Sequence, residues 1–376
     1  MERVRLKEKE ERRLLRGHPW VYRNELDGVP ALEDGVSVDV FSHTNRFIGR
    51  GFYQAEGGIA VRLVSRKPRP LDGALWIERL SEAKSFRERL FPGENVYRWI
   101  FGESDGLPGF VADRYGPVVA AETTCAFYAA HADALAQTFL SHEGVEGVRI
   151  RLAGHGKPLE YGTVPASLEC NMDGLSLEVD ISAGQKTGLF LDQRRNSAAI
   201  KPYVAGARVL DGYCYTGMWS CRAALDGAQQ VTGVDTSAPA LEQARRNAQR
   251  NAVNAACVFE QADVAAVLER DRRYDVILLD PPALAKTRPQ AAKAASVYAA
   301  LNRAAMRALE PGGILITSTC SHFVGREAFL EILKRAAAAA QRRVWILEVH
   351  GASPDHPVLI SMPETDYLTC VFLRVF

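Results

Sequence analysis

At 376 residues the chain is too long for one ordinary hydrophobic core and suits two or three domains. Hydrophobic residues make up 47% and charged residues 24%, and 46 Lys+Arg against 45 Asp+Glu leave a formal charge of +1, so no global basic field attracts nucleic acid and any such site must be a local patch. Seven widely spaced cysteines without a C-x-x-C argue against a disulfide framework and a metal site, while a charged N-terminus and the lack of any span-length apolar run argue against a membrane and predict a cytoplasmic protein.

In chain order, residues 1–69 alternate apolar clusters at period two (Trp20-Val21-Tyr22, Val36 to Val40, Phe47-Ile48, Ile59 to Val64) between Gly-rich turns, which predicts a small β-rich domain. Arg46, Arg50, Arg62, Arg66, Lys67 and Arg69 are answered among themselves only by Glu56. They form a candidate phosphate-facing surface, with Arg62 and Arg66 as substrate-binding candidates and a merely solvated charged face as the alternative. Lys67-Pro68-Arg69-Pro70 reads as a linker. Residues 70–182 open with a helix from Leu75 to Leu90. Strands Phe110 to Arg114 and Val118 to Ala121 flank a turn at Tyr115-Gly116-Pro117, and a second helix spans about 129–140. This predicts a central α+β domain.

Residues 183–376 read as a seven-stranded, doubly wound α/β domain. Strand Arg208 to Asp211, turn Gly212 to Gly217, helix Met218 to Leu225 and a strand ending in Gly233-Val234-Asp235 make its first βαβ unit. A helix from Ser237 to Arg250 carries Thr236 or Ser237 as cap and Pro239 in its first turn. Strand Cys257 to Phe259, buried strand Tyr274 to Leu279, the turn Glu310 to Gly313 and strand Ile314 to Thr317 follow. Helix Arg326 to Ala340 and strands Val344 to Val349 and Tyr367 to Arg374 complete the domain. Asp211, Asp235, Asp280 and Cys320 then fall at carboxyl ends of strands, the edge where such sheets hold ligands.

A nucleoside-bearing cofactor fits this edge. The first turn has only Gly212 and Gly217, with bulky Tyr213 and Tyr215 between them, so pyrophosphate fits badly and S-adenosylmethionine (SAM) fits better. A nucleotide-free domain is the alternative. Tyr215, Thr216 and Gly217 are the candidate cofactor turn, Asp235 the candidate ribose ligand, and Asp263 the acceptor for an adenine amine. Asp211 and Asp263 have helix capping as their alternative role.

Asp280-Pro281-Pro282 and Cys320 suggest chemistry at a pyrimidine carbon. C5 is a poor nucleophile until a thiolate adds at C6, a task for Cys320, while Asp280 can hold N3 and N4 of a cytosine. Amine methylation at an Asp-Pro-Pro site calls for an aromatic ring directly after the prolines, where Ala283 stands. Pro281, Pro282 and Lys286 are candidate substrate contacts, although a solvated loop accounts equally well for Lys286.

Gly17-His18-Pro19-Trp20-Val21, Gly102 to Gly109, Lys186-Thr187-Gly188 with Leu191-Asp192-Gln193-Arg194, Tyr215-Thr216-Gly217, Val234 to Ser237, Asp280-Pro281-Pro282 and Cys320-Ser321 occur in that order over nearly the whole chain. Together they resemble the cytosine-C5 methyltransferases of large-subunit ribosomal RNA, the bacterial methyltransferase I type. The resemblance implies a PUA domain, a central α+β domain and a class I SAM methyltransferase domain. It also implies Cys320 as the nucleophile, Phe190 and Gln193 beside the cofactor, and large-subunit ribosomal RNA as partner. Departures from the pattern are Met218, Leu284 and Asn171-Met172-Asp173. Two other readings stay open: a SAM-dependent methyltransferase for another RNA base or a small molecule, and a non-catalytic RNA-binding or ribosome assembly factor. Monomer and homodimer are equally compatible with the sequence.

Overall fold

The period-two segments of the N-terminal region become strands β1 (Glu2–Arg5), β2 (Trp20–Tyr22), β3 (Ser37–Phe41), β4 (Phe47–Tyr53) and β5 (Ile59–Ser65), with a short helix α1 (Glu11–Leu15) after the first. They form one sheet in the order β1-β3-β4-β5-β2, whose inward Val4, Val21, Val38, Val40 and Val61 are buried. Pairing of β4 with β5 slips at Gly51, where a Cβ would lie 1.9 Å from the Arg62 carbonyl oxygen, so only glycine fits. The computed structural model describes residues 1–152, 156–182, 187–285 and 287–376. Contacts divide the chain into two units, the first made of Met1–Cys170, Val179–Leu191 and Pro354–Thr365, the second of Asn171–Glu178, Asp192–Ser353 and Asp366–Phe376.

Within the first unit, helix α2 (Gly73–Leu90) is capped by Asp72, which accepts from Ala74 N and Leu75 N. Strands β6 (Val96–Phe101), β7 (Phe110–Tyr115), β8 (Val118–Thr123), β9 (Gly147–Leu152) and β10 (Leu159–Gly162) form a second sheet in the order β10-β9-β8-β7-β6. The single helix expected at 129–140 is instead two, α3 (Ala126–Ala130) and α4 (Ala132–Leu140). The break falls at His131, whose ring packs 4.4 Å from that of Phe127 and 5.6 Å from that of Trp76. The segments expected to separate near residue 70 share a core. Phe52 and Val64 of the first sheet pack with Trp76, Tyr97, Trp99 and Phe110, and Phe52 stacks on Phe127 at 4.6 Å.

Strands β11 (Ser167–Met172) and β12 (Leu175–Asp180) form a ribbon closed by Asp173 and Gly174, both at positive φ as a two-residue hairpin requires. In the second unit, short helices α5 (Arg194–Ala198) and α6 (Lys201–Val204) precede the catalytic-type sheet. Its strands are β13 (Arg208–Gly212), β14 (Gln230–Asp235), β15 (Cys257–Gln261), β16 (Tyr274–Leu279), β17 (Leu309–Thr319), β18 (Val344–His350) and β19 (Thr369–Val375). The order is β15-β14-β13-β16-β17-β19-β18, parallel except for β19, which runs antiparallel to both its neighbours. Strand order reverses between β14-β13 and β13-β16, which opens a ligand-binding crevice at the carboxyl ends.

Helices α7 (Met218–Leu225), α8 (Ala238–Arg250), α9 (Val264–Leu268), α10 (Ala291–Ala308) and α11 (Arg326–Ala340) belong to the same unit. Leu210, Ile277, Leu279, Tyr298, Phe329 and Ile332 lie in its core. The expected turn Glu310 to Gly313 is an excursion inside β17: Leu309 pairs with Tyr274 and Ile314 with Val276, and Gly312 takes φ +86°. Edge strand β18 slips at Leu347 against β19, and Trp345, Ile346 and Leu347 are exposed. Among the described residues no helix is long and apolar enough to cross a membrane.

Candidate active site

Parallel register sets the site. Gly212 of β13 pairs with Val234 of β14 and Leu279 of β16, and Leu279 with Thr317 of β17. Asp235, Asp280 and Ser318 therefore follow in one row at the carboxyl edge, with Cys320 two residues beyond Ser318.

The turn after β13 is held in an uncommon conformation. Tyr213 (φ 65°) and Tyr215 (φ 48°) both occupy the left-handed region, where a non-glycine residue costs roughly 1–3 kcal/mol and persists only when its surroundings enforce it. The enforcement is visible: Tyr213 N and Cys214 N donate to Val234 O at 2.9 and 3.0 Å, and Tyr215 N to Asp235 Oδ2 at 3.0 Å. Asn247 of α8 donates to Thr216 O at 2.9 Å, and a Cβ on Gly217 would meet that of Ala244 at 2.9 Å. Asp235 also accepts from Ser237 N at 2.9 Å. Each of its oxygens thus holds one backbone N–H and has acceptor capacity for another donor.

Asp211 meets the first turn of α7 through Ser220, accepting from both that residue's backbone N–H and its hydroxyl. It is buried, accepts from Ser220 Oγ at 2.6 Å, and its carboxyl is pushed up to about 7, chiefly by burial, against the Ser220 hydrogen bond and with the charges of Asp280 and Asp235 adding. Asp263 is exposed and does cap α9, accepting from Ala266 N at 3.1 Å.

Asp280 and Cys320 lie on the same sheet edge, and Cys320 approaches Pro281, the residue after Asp280. Asp280 Oδ1 accepts from Gln193 Nε2 at 2.8 Å, and Cys320 Sγ lies 3.9 Å from the carbonyl oxygen of Pro281. Of the seven cysteines, all free, Cys320 alone is not buried. Burial raises the thiols of Cys214 and Cys221 and pushes Cys257 and Cys370 up to about 12, which leaves them protonated and inert. The loop after Asp280 is pinned from below: Ser321 Oγ accepts from Leu284 N and Ala285 N at 2.9 and 3.2 Å and lies 3.0 Å from Tyr298 OH, to which Thr319 also donates. Pro281 is buried and Pro282 exposed, while Lys286, like Lys186, lies outside the described residues.

Residues 4–66 match the PUA-like domain family, and residues 155–359 match the family of S-adenosylmethionine-dependent methyltransferases. Two proteins named ribosomal RNA large subunit methyltransferase I, from Shewanella denitrificans (strain OS217) and Klebsiella pneumoniae (strain 342), are 34% and 35% identical to the chain. They cover 100% and 97% of it and 99% and 96% of their own lengths. The chain belongs to the ribosomal RNA large subunit methyltransferase I family. The methyltransferase I fold is shared by a solved methyltransferase structure from Streptococcus mutans (TM-score 0.87, 21% identity) and by SMU.776 complexed with SAH (TM-score 0.88, 22% identity), each covering 100% of both chains.

SAM is the cofactor of this methyltransferase I member, and the chemistry of the strand-end groups fits it. SAM offers hydroxyl and amine donors and a sulfonium cation, and the edge offers acceptor carboxylates on Asp235, Asp263 and Asp280 beside the buried Asp211. A pyrophosphate would meet like charge there.

One set of expected contacts is corrected. Arg62 does not present an open guanidinium: it ion-pairs with Glu103, donates to Gln54 Oε1 at 2.7 Å and lies 5.0 Å from the Trp20 ring. Arg50 and Arg69 are likewise held, by Asp39 at 2.6 Å and Glu78 at 2.7 Å, partners that lie outside the charge run. Arg66 is exposed and donates to His18 O at 2.9 Å. Phe190 is half-buried in the first unit. Gln193 is 2% exposed, and its amide is used within the protein, on Asp280, on Ser318 Oγ (3.1 Å) and from Asn196 Nδ2 (2.7 Å). Asn196, Ser318 and Tyr298 had no motif signal; only their proximity in the fold reveals them.

Proposed function

We propose that the chain methylates C5 of a cytosine in large-subunit ribosomal RNA through a covalent adduct at Cys320. The observation that carries this reading is the pairing of the one unburied thiol, Cys320, with Asp280-Pro281 across the ends of β16 and β17. Sγ of Cys320 attacks C6 and forms the C6–S bond, and the electron pair of the C5–C6 double bond makes C5 nucleophilic. SAM supplies the electrophilic methyl group that C5 accepts. Removal of the C5 proton then re-forms the double bond as Sγ leaves as thiolate. Asp280 accepts from the N4 amine of the cytosine and from N3 once that nitrogen is protonated, with Pro281 and Pro282 against the base and Lys286 assigned to a substrate phosphate.

For the cofactor, we assign Asp235 to the ribose hydroxyls and Asp263 to the adenine amine. Tyr215, Thr216 and Gly217 form the turn beneath them, Asp280 and, once ionised, Asp211 provide the negative field, and Gln193 is assigned beside the cofactor. Residues 1–69, with Arg66, serve RNA docking, 70–182 form the central domain and 183–376 carry methyl transfer in the cytoplasm, where ribosomal RNA is matured.

The test is trapping on large-subunit ribosomal RNA fragments containing 5-fluorocytosine, with SAM present. Fluorine at C5 cannot leave as a proton, so the adduct persists as a shifted band on a denaturing gel. A shift lost in Cys320→Ala supports the mechanism. Methyl transfer to unmodified RNA with no shift on any fluorinated fragment overturns it and favours another base.

A further inference from the structure

A chain of polar side chains in the second unit runs from Asp280 to the edge strand β18. Gln193 Nε2 donates to Asp280 Oδ1 (2.8 Å), Asn196 Nδ2 donates to Gln193 Oε1 (2.7 Å), Asn196 Oδ1 faces His350 Nδ1 (3.2 Å), and His350 Nε2 faces Glu348 Oε2 (2.8 Å). The direction of every amide in it is fixed. Asn196 Nδ2 also donates to the Gly351 carbonyl oxygen at 3.1 Å, so its Oδ1 must be the atom toward His350. Both ring nitrogens of His350 then face acceptors. A neutral imidazole carries one N–H and would set a lone pair against either Asn196 Oδ1 or the Glu348 carboxylate; the imidazolium satisfies both.

Turning Asn196 over does not rescue the neutral form. Its Oδ1 would meet Gly351 O and Gln193 Oε1, and a compensating turn of Gln193 would aim Oε1 at the Asp280 carboxylate. We infer that His350, as an imidazolium, is a positioning residue that orients the Asn196 and Gln193 amides and through them holds Asp280 for the target base, so that methyl transfer depends on the His350 proton. This rests on the proposed role of Asp280.

The groups around the imidazole are few. Glu348 shares its strand, and Asn196 faces it from α5. Cys370 is its paired residue on β19, beside the Phe372 ring at 5.1 Å. Tyr203 of α6 donates to Glu348 Oε1 at 2.5 Å. Burial keeps the Cys370 thiol protonated, and the hydrogen bond to Glu348 keeps the Tyr203 phenol protonated, both pushed up to about 12. The charge facing the imidazole is therefore that of Glu348.

The experiment is the pH profile, from 6 to 9, of methyl transfer from labelled SAM to transcribed large-subunit ribosomal RNA, for the wild type, His350→Gln and Glu348→Gln, with SAM affinity measured alongside. Gln at 350 offers a permanent donor, so the ratio of wild-type to H350Q turnover should fall about tenfold toward pH 9, the scale of one charge-assisted hydrogen bond. E348Q, on a half-exposed side chain, replaces the carboxylate acceptor at Nε2 with a neutral amide and should change the profile. Dissociation constants for SAM should stay within about twofold, because the effect lies at Asp280 and the base. Superimposable wild-type and H350Q profiles, or an E348Q profile that does not move, overturn the inference. The identity of the methylated base is read separately, from digested product, so a base other than cytosine would sink the C5 reading and leave this test standing.

Discussion

Two charged regions of the molecule use their charge in opposite ways. On β4, on β5 and just beyond them three arginines are neutralised: Arg50 by Asp39, Arg62 by Glu103 and Arg69 by Glu78. At the carboxyl edge of the β13–β17 sheet the acids are held by neutral donors instead: Asp235 by two backbone N–H groups and Asp263 by one. A carboxylate fixed by neutral donors keeps its charge for a ligand, whereas one ion-paired with arginine has already met its counter-charge. The first region uses its charge for cohesion, and the second is the one proposed above to receive the sulfonium cofactor.

That contrast can be tested at five points. Cys320→Ala should lower turnover at least about a thousandfold while SAM still binds, measured by single-turnover methylation. Asp235→Ala should weaken SAM binding about tenfold to a hundredfold, the loss of one or two charge-assisted hydrogen bonds, as calorimetry would report. Unchanged affinity would break the assignment of the acidic edge to the cofactor.

Asp211→Asn sharpens it through pH. The native carboxyl titrates near 7 against an ordinary 3.8, because burial favours the protonated form. The stability this proton gives is complete below the unfolded value and is lost as pH rises through about 7. Asp211→Asn should therefore melt above the wild type at pH 8, with the gap closing by pH 5. Its SAM affinity should respond less to pH than that of the wild type, which gains a buried anion, and tighter cofactor binding, between pH 6 and 8. For the other region, Arg50→Ala should cost about 2 kcal/mol, a few degrees in thermal melting, without changing RNA affinity. The smallest effect belongs to Arg66→Ala, which should weaken RNA binding a few-fold and reduce the salt-dependence slope by about 1.

The catalytic sheet was legible because its signals are local. Apolar spacing and flanking turn formers marked Met218–Leu225, Tyr274–Leu279 and Arg326–Ala340 at the observed bounds, and of the two caps offered for α8, Thr236 or Ser237, the structure uses Ser237. Strand-end placement likewise brought out Asp235, Asp280 and Cys320. What sequence could not reveal depended on distant partners. Arg62 meets Glu103 across 41 positions, and Gln193 meets Asp280 across 87. The break at His131 coincides with edge-on packing against Trp76, and the shared core of the first unit with Phe52 lying on Phe127. Helical periodicity carries no record of either.

The slip at Leu347 has a consequence for colloidal behaviour. An edge strand with Trp345, Ile346 and Leu347 all exposed is a template on which another chain could add a strand, and the extra residue spoils that template by interrupting the hydrogen-bonding rhythm. Removing Leu347 alone would restore an even ladder and leave a straight apolar edge. The shortened protein should scatter light increasingly with concentration and time, so one supernumerary leucine serves as a guard against fibrous self-association.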